Sequence, residues 1–383
     1  MTASALTRPG ERDRLPVKIA QLDWRLAGLV AVIALVGAAM LWSVAGGSWE
    51  PWAGNHLTRF SVFFVMMMVL ALVDLRWWYA MAYPVYGAGL LLLVAVELVG
   101  ETRMGATRWL DLGFTSLQPS EIMKLGIVLA LARWYHGASA QEARFHWKLI
   151  VPALMLALPV VLVAHQPDLG TSLLILFTGV AIMFVAGLSW KIVVAGIGSV
   201  LAIAPMMYFF VLHEYQRRRV DVLFNPEADP SGSGYHIAQA KIAIGSGGFL
   251  GKGFGLGSQS QLNFLPEKHT DFIFPTVAEE FGFIGAFLVL VVYGLIVAAA
   301  LRIASVSHNH FGRLAAAGVT ATFALYVLIN GAMVMGLAPV VGVPMPLLSY
   351  GGTVMMTVMI GFGLVMAVKV HRYLELPKGP GLL

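Results

Sequence analysis

The feature that most constrains this chain is a series of apolar runs, each close to the length that crosses a bilayer. They fall near residues 27–45, 58–74, 78–98, 119–136, 149–165, 170–187, 191–211, 272–300, 314–336 and 350–370. A hydrocarbon core about 30 Å thick takes roughly 20 helical residues to span. Within it every backbone N–H and C=O must be satisfied by the protein, and runs of this length meet that demand as helices. Composition agrees: 58% of the residues are hydrophobic and only 12% are charged, against about 25% charged in a soluble domain. The expected fold class is an all-α polytopic membrane protein of about ten transmembrane helices.

The expected organisation has three parts: a cytoplasmic N-terminal tail at 1–26, a single membrane domain at 27–372, and a cytoplasmic C-terminal tail at 373–383. The tail carries Arg8, Arg12, Arg14, Lys18 and Arg25. The apolar run after it is long enough to stay in the membrane as an anchor, so it is not read as a cleavable signal. Basic residues mark the cytoplasmic side. Arg76, Arg133, Arg144, Lys148, Lys191, Arg302, Arg313, Lys369, Arg372 and Lys378 all fall on the side of both termini if ten helices alternate. The expected location is therefore the cytoplasmic (inner) membrane, multi-pass, with both termini inside. The net charge of +5 reflects these loops, and no nucleic-acid partner is expected. The absence of cysteine excludes disulfides, thiolate metal sites and cysteine nucleophiles. One polar, glycine-rich segment of about 60 residues, 212–271, joins helices 7 and 8 on the extracytoplasmic side. A loop this long inside a compact bundle is functional or disordered. Its stretch 235–244 has helical spacing of apolar residues and suits a membrane-surface helix.

Four polar clusters sit at that outer face. The first holds Arg108-Trp109-Leu110-Asp111, then Gln118-Pro119-Ser120-Glu121 and Lys124. Pro119 suits the first turn of a helix. Glu121 and Lys124 lie three apart on one helix face, within the membrane. Ionisable residues at such depth are functional candidates, and a structural ion pair between helices is the alternative. The second cluster, Gln166-Pro167-Asp168-Leu169-Gly170-Thr171-Ser172, sets a carboxylate where a helix begins. Asp168 reads as a helix cap, a site residue, or both. The third runs from Ala243 through glycines 245, 247, 248, 251, 253, 255 and 257, with Lys252 among them, and is read as an anion nest for phosphate or as a flexible linker. It continues as Phe264-Leu265-Pro266-Glu267-Lys268-His269-Thr270-Asp271-Phe272-Ile273-Phe274. Asp271 reads either as a base desolvated by Phe272 and Phe274 or as the cap of the next helix. The fourth, from Asn330-Gly331 through Pro339, Pro344 and Pro346 to Ser349-Tyr350-Gly351-Gly352, suggests an ordered re-entrant loop or an ordinary connector.

Taken together, these segments resemble the family of shape, elongation, division and sporulation (SEDS) proteins. The marks are Arg108-Trp109-Leu110, Gln118-Pro119-Ser120-Glu121, Gln166-Pro167-Asp168-Leu169-Gly170-Thr171, the run Leu265 to Phe274, and Pro346-Leu347-Leu348-Ser349-Tyr350-Gly351-Gly352. Each is weak alone; five in this order on such a chain are specific. Gly257-Ser258-Gln259-Ser260-Gln261-Leu262 and Leu337-Ala338-Pro339-Val340-Val341-Gly342-Val343-Pro344 look like the elongation (RodA) branch rather than the division (FtsW) branch. Phe281-Gly282-Phe283 departs from the Leu-Gly expected there. The resemblance implies ten transmembrane helices and a peptidoglycan glycosyltransferase that polymerises lipid II. It implies work beside a class B penicillin-binding transpeptidase and other elongation-complex membrane proteins. It also implies that Asp271 is the essential carboxylate.

The chemistry is compatible with one carboxylate. Lipid II holds its sugar through an α-linked pyrophosphate, and forming a β-1,4 link inverts the anomeric carbon. A diphosphate leaves without protonation, so positive charge replaces the acid an inverting glycosidase needs. What remains is a base for the acceptor hydroxyl and cations for the leaving group. Asp271 is the catalytic candidate. Arg108, Glu121, Lys124, Asp168, Lys252, His269 and Ser349 are substrate-binding candidates, and Arg217, Arg218 and Arg219 join the possible clamp. A divalent cation, magnesium or manganese, is a further candidate, with Asp168 or Glu121 as ligand. Two rival readings are a lipid II flippase, which needs polar groups through the bilayer midplane, and a non-catalytic scaffold for a transpeptidase.

Overall fold

The computed structural model describes residues 15–103, 106–111, 116–139, 142, 147–210, 214–225, 229, 232–265 and 267–377. Arg8, Arg12, Arg14, Arg144, Pro266 and Lys378 lie outside the described residues, as do the side chains of Asp111, Arg218 and Arg219.

A short helix α1 (Leu15–Gln21) leads into α2 (Trp24–Val44), α3 (Ala53–Leu70) and α4 (Leu75–Val99). Three short strands follow, β1 (Glu101–Arg103), β2 (Ala106–Asp111) and β3 (Ser116–Leu117), each antiparallel to the next. Then come α5 (Pro119–Gly137), α6 (Ile150–His165), α7 (Leu169–Ala186) and α8 (Trp190–Phe210). The long loop contains α9 (Glu214–Phe224), α10 (Ser233–Ser246) and the single turn α11 (Ser258–Gln261). The chain closes with α12 (Ile273–Val306), α13 (His310–Val334) and α14 (Gly352–Val370). Four starts are fixed by side-chain caps that the sequence carries. Asp23 caps α2, Asp74 caps α4, Asp168 caps α7 and Asn309 caps α13, each accepting a backbone N–H at 2.8–3.3 Å.

Among the described residues nine helices are long and apolar enough to cross a membrane. The tenth expected span is α5, which carries Glu121, Lys124 and Arg133. It tolerates them because it is the bundle's centre: Met123, Ile127, Leu129 and Leu131 are fully buried, so protein and not lipid surrounds it. The fold is thus polytopic and mostly helical. The strands were not anticipated, since so brief an alternation does not stand out from a loop. At the opposite extreme, α8 buries no residue at all.

Two expectations change here. Residues 272–300 do not form one regular helix: Gly282 adopts φ 65°, ψ −164°, and α12 breaks there. The glycine-rich loop fills the break. The Lys252 and Gly253 N–H groups donate to the Glu279 and Glu280 carbonyls, both at 3.0 Å. The Phe283 and Ile284 N–H groups donate to the Gly248 and Phe249 carbonyls at 2.9 and 3.3 Å. The helix break and the loop satisfy one another, as buried irregular backbone must. The amides at 252 and 253 are therefore helix-break donors, not an anion nest, and the segment is no flexible linker. The stretch at 235–244 is helical, within α10, and rests Ile237, Ala240 and Ala243 in buried positions.

The Gly282 conformation is essentially restricted to glycine, and an added Cβ would lie 2.6 Å from the Phe249 carbonyl oxygen. Gly282→Ala is expected to lower stability by about 3 kcal/mol or more, combining backbone strain and clash. Gly294→Ala, where a Cβ meets nothing within 4 Å, is expected to be neutral or stabilising by up to about 1 kcal/mol. Thermal melting of both in detergent tests the contrast.

Candidate functional site

The helices alternate, so one end of the bundle collects the starts of α3, α5, α7, α12 and α14. Asp271 stands there, directly before α12. The cap residue of α12 is Phe272, so Asp271 lies one residue outside the cap position. Phe272 and Phe274 are buried and Asp271 is half-buried, at an apolar edge. Its main chain is pinned by Asn330 of α13, whose Nδ2 donates to the Asp271 carbonyl at 2.8 Å and to the Val343 carbonyl at 2.7 Å.

Val343 belongs to the strap between α13 and α14. This is the expected re-entrant segment: Val343, Met345, Leu347 and Leu348 are buried. The strap reaches deep enough for Tyr293, midway along α12, to donate its hydroxyl to the Pro346 carbonyl at 2.6 Å. Gly342, at φ 68°, lets the strap pass close to Asp271; a Cβ there would stand 3.5 Å from Asp271 Oδ2. At the start of α7, Gly170 meets the same strap, with the Val341 carbonyl oxygen 2.6 Å from where its Cβ would be. Asp168 lies two residues earlier. Its Oδ1 accepts the Thr171 N–H at 3.2 Å, and its Oδ2 lies 3.6 Å from Arg108 Nε. The Arg108 guanidinium also donates to the Pro167 carbonyl. Asp271, Asp168 and Arg108 therefore flank one strap, and Asp168 does cap its helix.

Glu121 and Lys124 sit deeper. Lys124 Nζ lies 2.6 Å from Glu121 Oε1 and also donates to the Tyr326 hydroxyl. Tyr326 in turn lies 3.0 and 2.9 Å from the two Glu121 oxygens. The pair's side chains are only 2% and 3% exposed. A narrow cavity of about 30 Å³ opens beside Lys124, lined by Phe323, Val358 and Phe362. Tyr326 and Asn330 lie four apart on one face of α13. The same helix thus ties the buried ion pair to the backbone of Asp271.

The other candidates are held elsewhere. His269 stacks on Trp52 at 4.6 Å between ring centres, and its carbonyl accepts the Tyr350 N–H at 2.8 Å. Arg59 lies over the Tyr350 ring at 5.0 Å. Ser349 is buried and its Oγ accepts the Met345 N–H at 2.9 Å, tying off the strap. Lys252 Nζ pairs with Glu279 Oε1 at 2.7 Å and with Ser258 Oγ at 2.7 Å, at the break in α12. Among the described residues no group of three or more His, Cys, Asp or Glu is arranged to hold a metal. Tyr326, Arg59 and Trp52 did not stand out in the sequence, and Asn330 appeared there only as part of a cluster. A tyrosine and an asparagine four apart in an apolar helix were the available signal.

Fold and site together define a multi-pass membrane protein with a charged constellation at one end of its bundle. The family model for cell cycle proteins of the FtsW, RodA and SpoVE type matches residues 17–374. The peptidoglycan glycosyltransferase MrdB of Escherichia coli (strain K12) is 42% identical over 354 residues, covering 92% of this chain and 94% of that protein. MrdB of Helicobacter pylori (strain J99) is 34% identical over 319 residues, 82% of each chain. A chain from a peptidoglycan synthase complex that coordinates polymerisation and crosslinking superposes with TM-score 0.81 and 33% identity, over 92% of this chain and 99% of that one. The rod shape determining protein RodA of Thermus thermophilus gives TM-score 0.70 and 31% identity, over 92% and 98%. The chain belongs to the FtsW/RodA/SpoVE (SEDS) family, and it is similar to RodA-type members.

The geometry yields two expectations. Lys124→Met leaves Glu121 buried without its cation and should destabilise by about 3–5 kcal/mol. Adding Glu121→Gln should recover part of that loss, which a double-mutant cycle of melting temperatures would show. Burial lowers the pKa of His269 and of His236, which stacks on Phe272. The unfolded chain then binds more protons near and below its ordinary value of 6.5, so stability from these two groups is present above that pH and declines as pH falls through it. Protection factors across 258–272, with the intrinsic exchange rate at each pH divided out, should be lower at acidic pH than at neutral pH.

Proposed function

We propose that this chain is a peptidoglycan glycosyltransferase that polymerises lipid II into β-1,4 glycan strands at the outer face of the cytoplasmic membrane during cell elongation. The observation that carries the site assignment is the placement of Asp271: a carboxylate at the bundle's edge, just before the start of α12, fixed through its own backbone and sharing one strap with Asp168 and Arg108. Asp271 accepts the proton of the acceptor 4-hydroxyl as that oxygen bonds to the donor's anomeric carbon. The bond from that carbon to the α-linked diphosphate breaks, and the diphosphate leaves with the electron pair. The new link is β, and no acid is required because the leaving group is already an anion.

Arg108 supplies positive charge for the diphosphate at the level of Asp271. Lys124 contributes from beneath, its charge shared with Glu121 and the Tyr326 hydroxyl. A divalent cation fits one carboxylate supplemented by substrate phosphates and water, which is how magnesium is usually held. Asp168, beside Arg108, is the carboxylate that would hold it, and the ion would neutralise charge on the departing diphosphate. The isoprenoid tail stays in lipid, and α8, which buries nothing, leaves that flank of the bundle open to it. The orientation is both termini inside, since the basic helix ends lie opposite Asp271. The partner is a class B penicillin-binding transpeptidase with other membrane proteins of the elongation complex; the likeness to a chain of a peptidoglycan synthase complex supports this.

The test is polymerisation of labelled lipid II by the purified protein with its transpeptidase partner. Asp271→Asn is expected to reduce glycan synthesis by about 10²–10⁴-fold, the usual worth of a general base, while melting temperature and partner binding are retained. Polymerisation at the wild-type rate by this variant would show that another group is the base.

A further inference from the structure

The opposite end of the bundle carries a second polar feature that the glycosyltransfer reading leaves unused. A pocket of about 410 Å³ opens among the start of α2, the end of α12 and the end of α14. Arg25, Arg302, Lys369 and Arg372 line it, with Asp23 as the one acid among the described residues. Its formal charge is four positive less one negative, or +3. Asp23 is already committed. It caps α2 and binds Lys369 Nζ at 2.7 Å. Burial pushes its carboxyl up, but the Lys369 ammonium and the Leu26 and Arg25 amides outweigh that and hold it below the ordinary value, so it stays ionised. Arg25 and Arg302 are exposed and pair with no carboxylate among the described residues.

Four converging cations around an open pocket repel one another and lower stability unless an anion joins them. The rim says where that anion comes from. Trp24 is 55% exposed, and Leu301 and Val306 are exposed beside Arg302. An exposed tryptophan at a spanning helix's start sits at the headgroup level of a bilayer. The pocket therefore opens at the membrane–water boundary, with apolar surface leading into the hydrocarbon. Basic pockets between helix ends at this depth suit the phosphate of an acidic lipid.

We propose that this pocket binds the phosphate headgroup of an anionic phospholipid, with Arg25 and Arg302 as the principal ligands and the acyl chains lying along α12.

The test measures binding of phosphatidylglycerol to the full-length protein in nonionic detergent micelles, by thermal shift and by native mass spectrometry of retained lipid. Phosphatidylcholine and soluble glycerol phosphate serve as the other arms. Wild type should be stabilised by phosphatidylglycerol and by neither of the others. Arg25→Gln/Arg302→Gln, which breaks no ion pair, should bind it about thirtyfold more weakly, from about fivefold per surface cation. Arg76→Gln/Lys191→Gln, two charges at the same end outside the pocket, should bind as wild type does. Equal loss in both double variants would mean diffuse attraction and no site. Equal stabilisation by glycerol phosphate would make the ligand a soluble anion and overturn the lipid assignment.

Discussion

The structure turns on the requirement that backbone within a membrane protein satisfy its own hydrogen bonds, and α12 is where that requirement is hardest to meet. A helix that stops at Gly282 and resumes would expose carbonyls and amides to an apolar interior. The loop from 247 to 257 supplies the missing donors and acceptors on both sides of the break. One consequence concerns Glu279 and Glu280, which lie just before it. Glu279 takes Lys252, Ser258 and the Gln259 amide, and Glu280 takes the Ser43 hydroxyl of α2. The short half-helix 273–281 is thereby anchored at its far end, while Asn330 anchors its near end through Asp271. In the proposed role of Asp271 as a base, a carboxylate that must meet a hydroxyl within hydrogen-bond reach benefits from a support held at both ends.

Ion pairs near the site divide by depth, and the division gives them different work. Lys124 and Glu121 are enclosed with Tyr326 among α5 and α13. A buried pair of this kind is weak as a source of stability, because desolvation offsets most of the attraction. Its value lies in keeping fixed charge where water cannot screen it. Arg108 and Asp168 are nearer the edge, with the arginine side chain 22% exposed, so this pair is open to competition from an incoming phosphate. A guanidinium at 3.6 Å from its carboxylate can turn to a diphosphate at smaller cost than one locked in two short bonds.

Much of this was legible in the sequence because a bilayer enforces simple rules. The apolar runs marked all ten helices, even α5, whose three charged residues put it outside a purely apolar definition. Asp168 announced itself as a cap by preceding a helix start after Pro167, and Glu121 and Lys124 by their spacing. Asp271 was legible as a carboxylate, but its place relative to the cap position was not, since that depends on α12 starting one residue later. The break at Gly282 was not legible. A single glycine in an apolar helix is usually tolerated without a kink, and the backbone that completes it lies about thirty residues upstream. Tyr326 was hidden for a similar reason: its partners are some two hundred residues away, and an isolated tyrosine in a spanning helix reads as an ordinary membrane residue.

The same limit explains the pocket at the other end. Arg25, Arg302, Lys369 and Arg372 enter a sequence reading one at a time, each as another mark of a basic, inward-facing loop. Summed in that way they orient the chain and nothing more. Folding brings three distant helix ends together, and the sum becomes a concentrated charge around a cavity lined, among the described residues, by one acid. Orientation and lipid recognition then share one cause. In the proposed orientation, with this end on the inner side, the same cations are those best placed to bind the acidic lipids whose negative surface attracts them. The two ends of the bundle are polar in different senses: acids and cations are interleaved around Asp271, the proposed place of reaction, whereas cations predominate around the pocket at the other end.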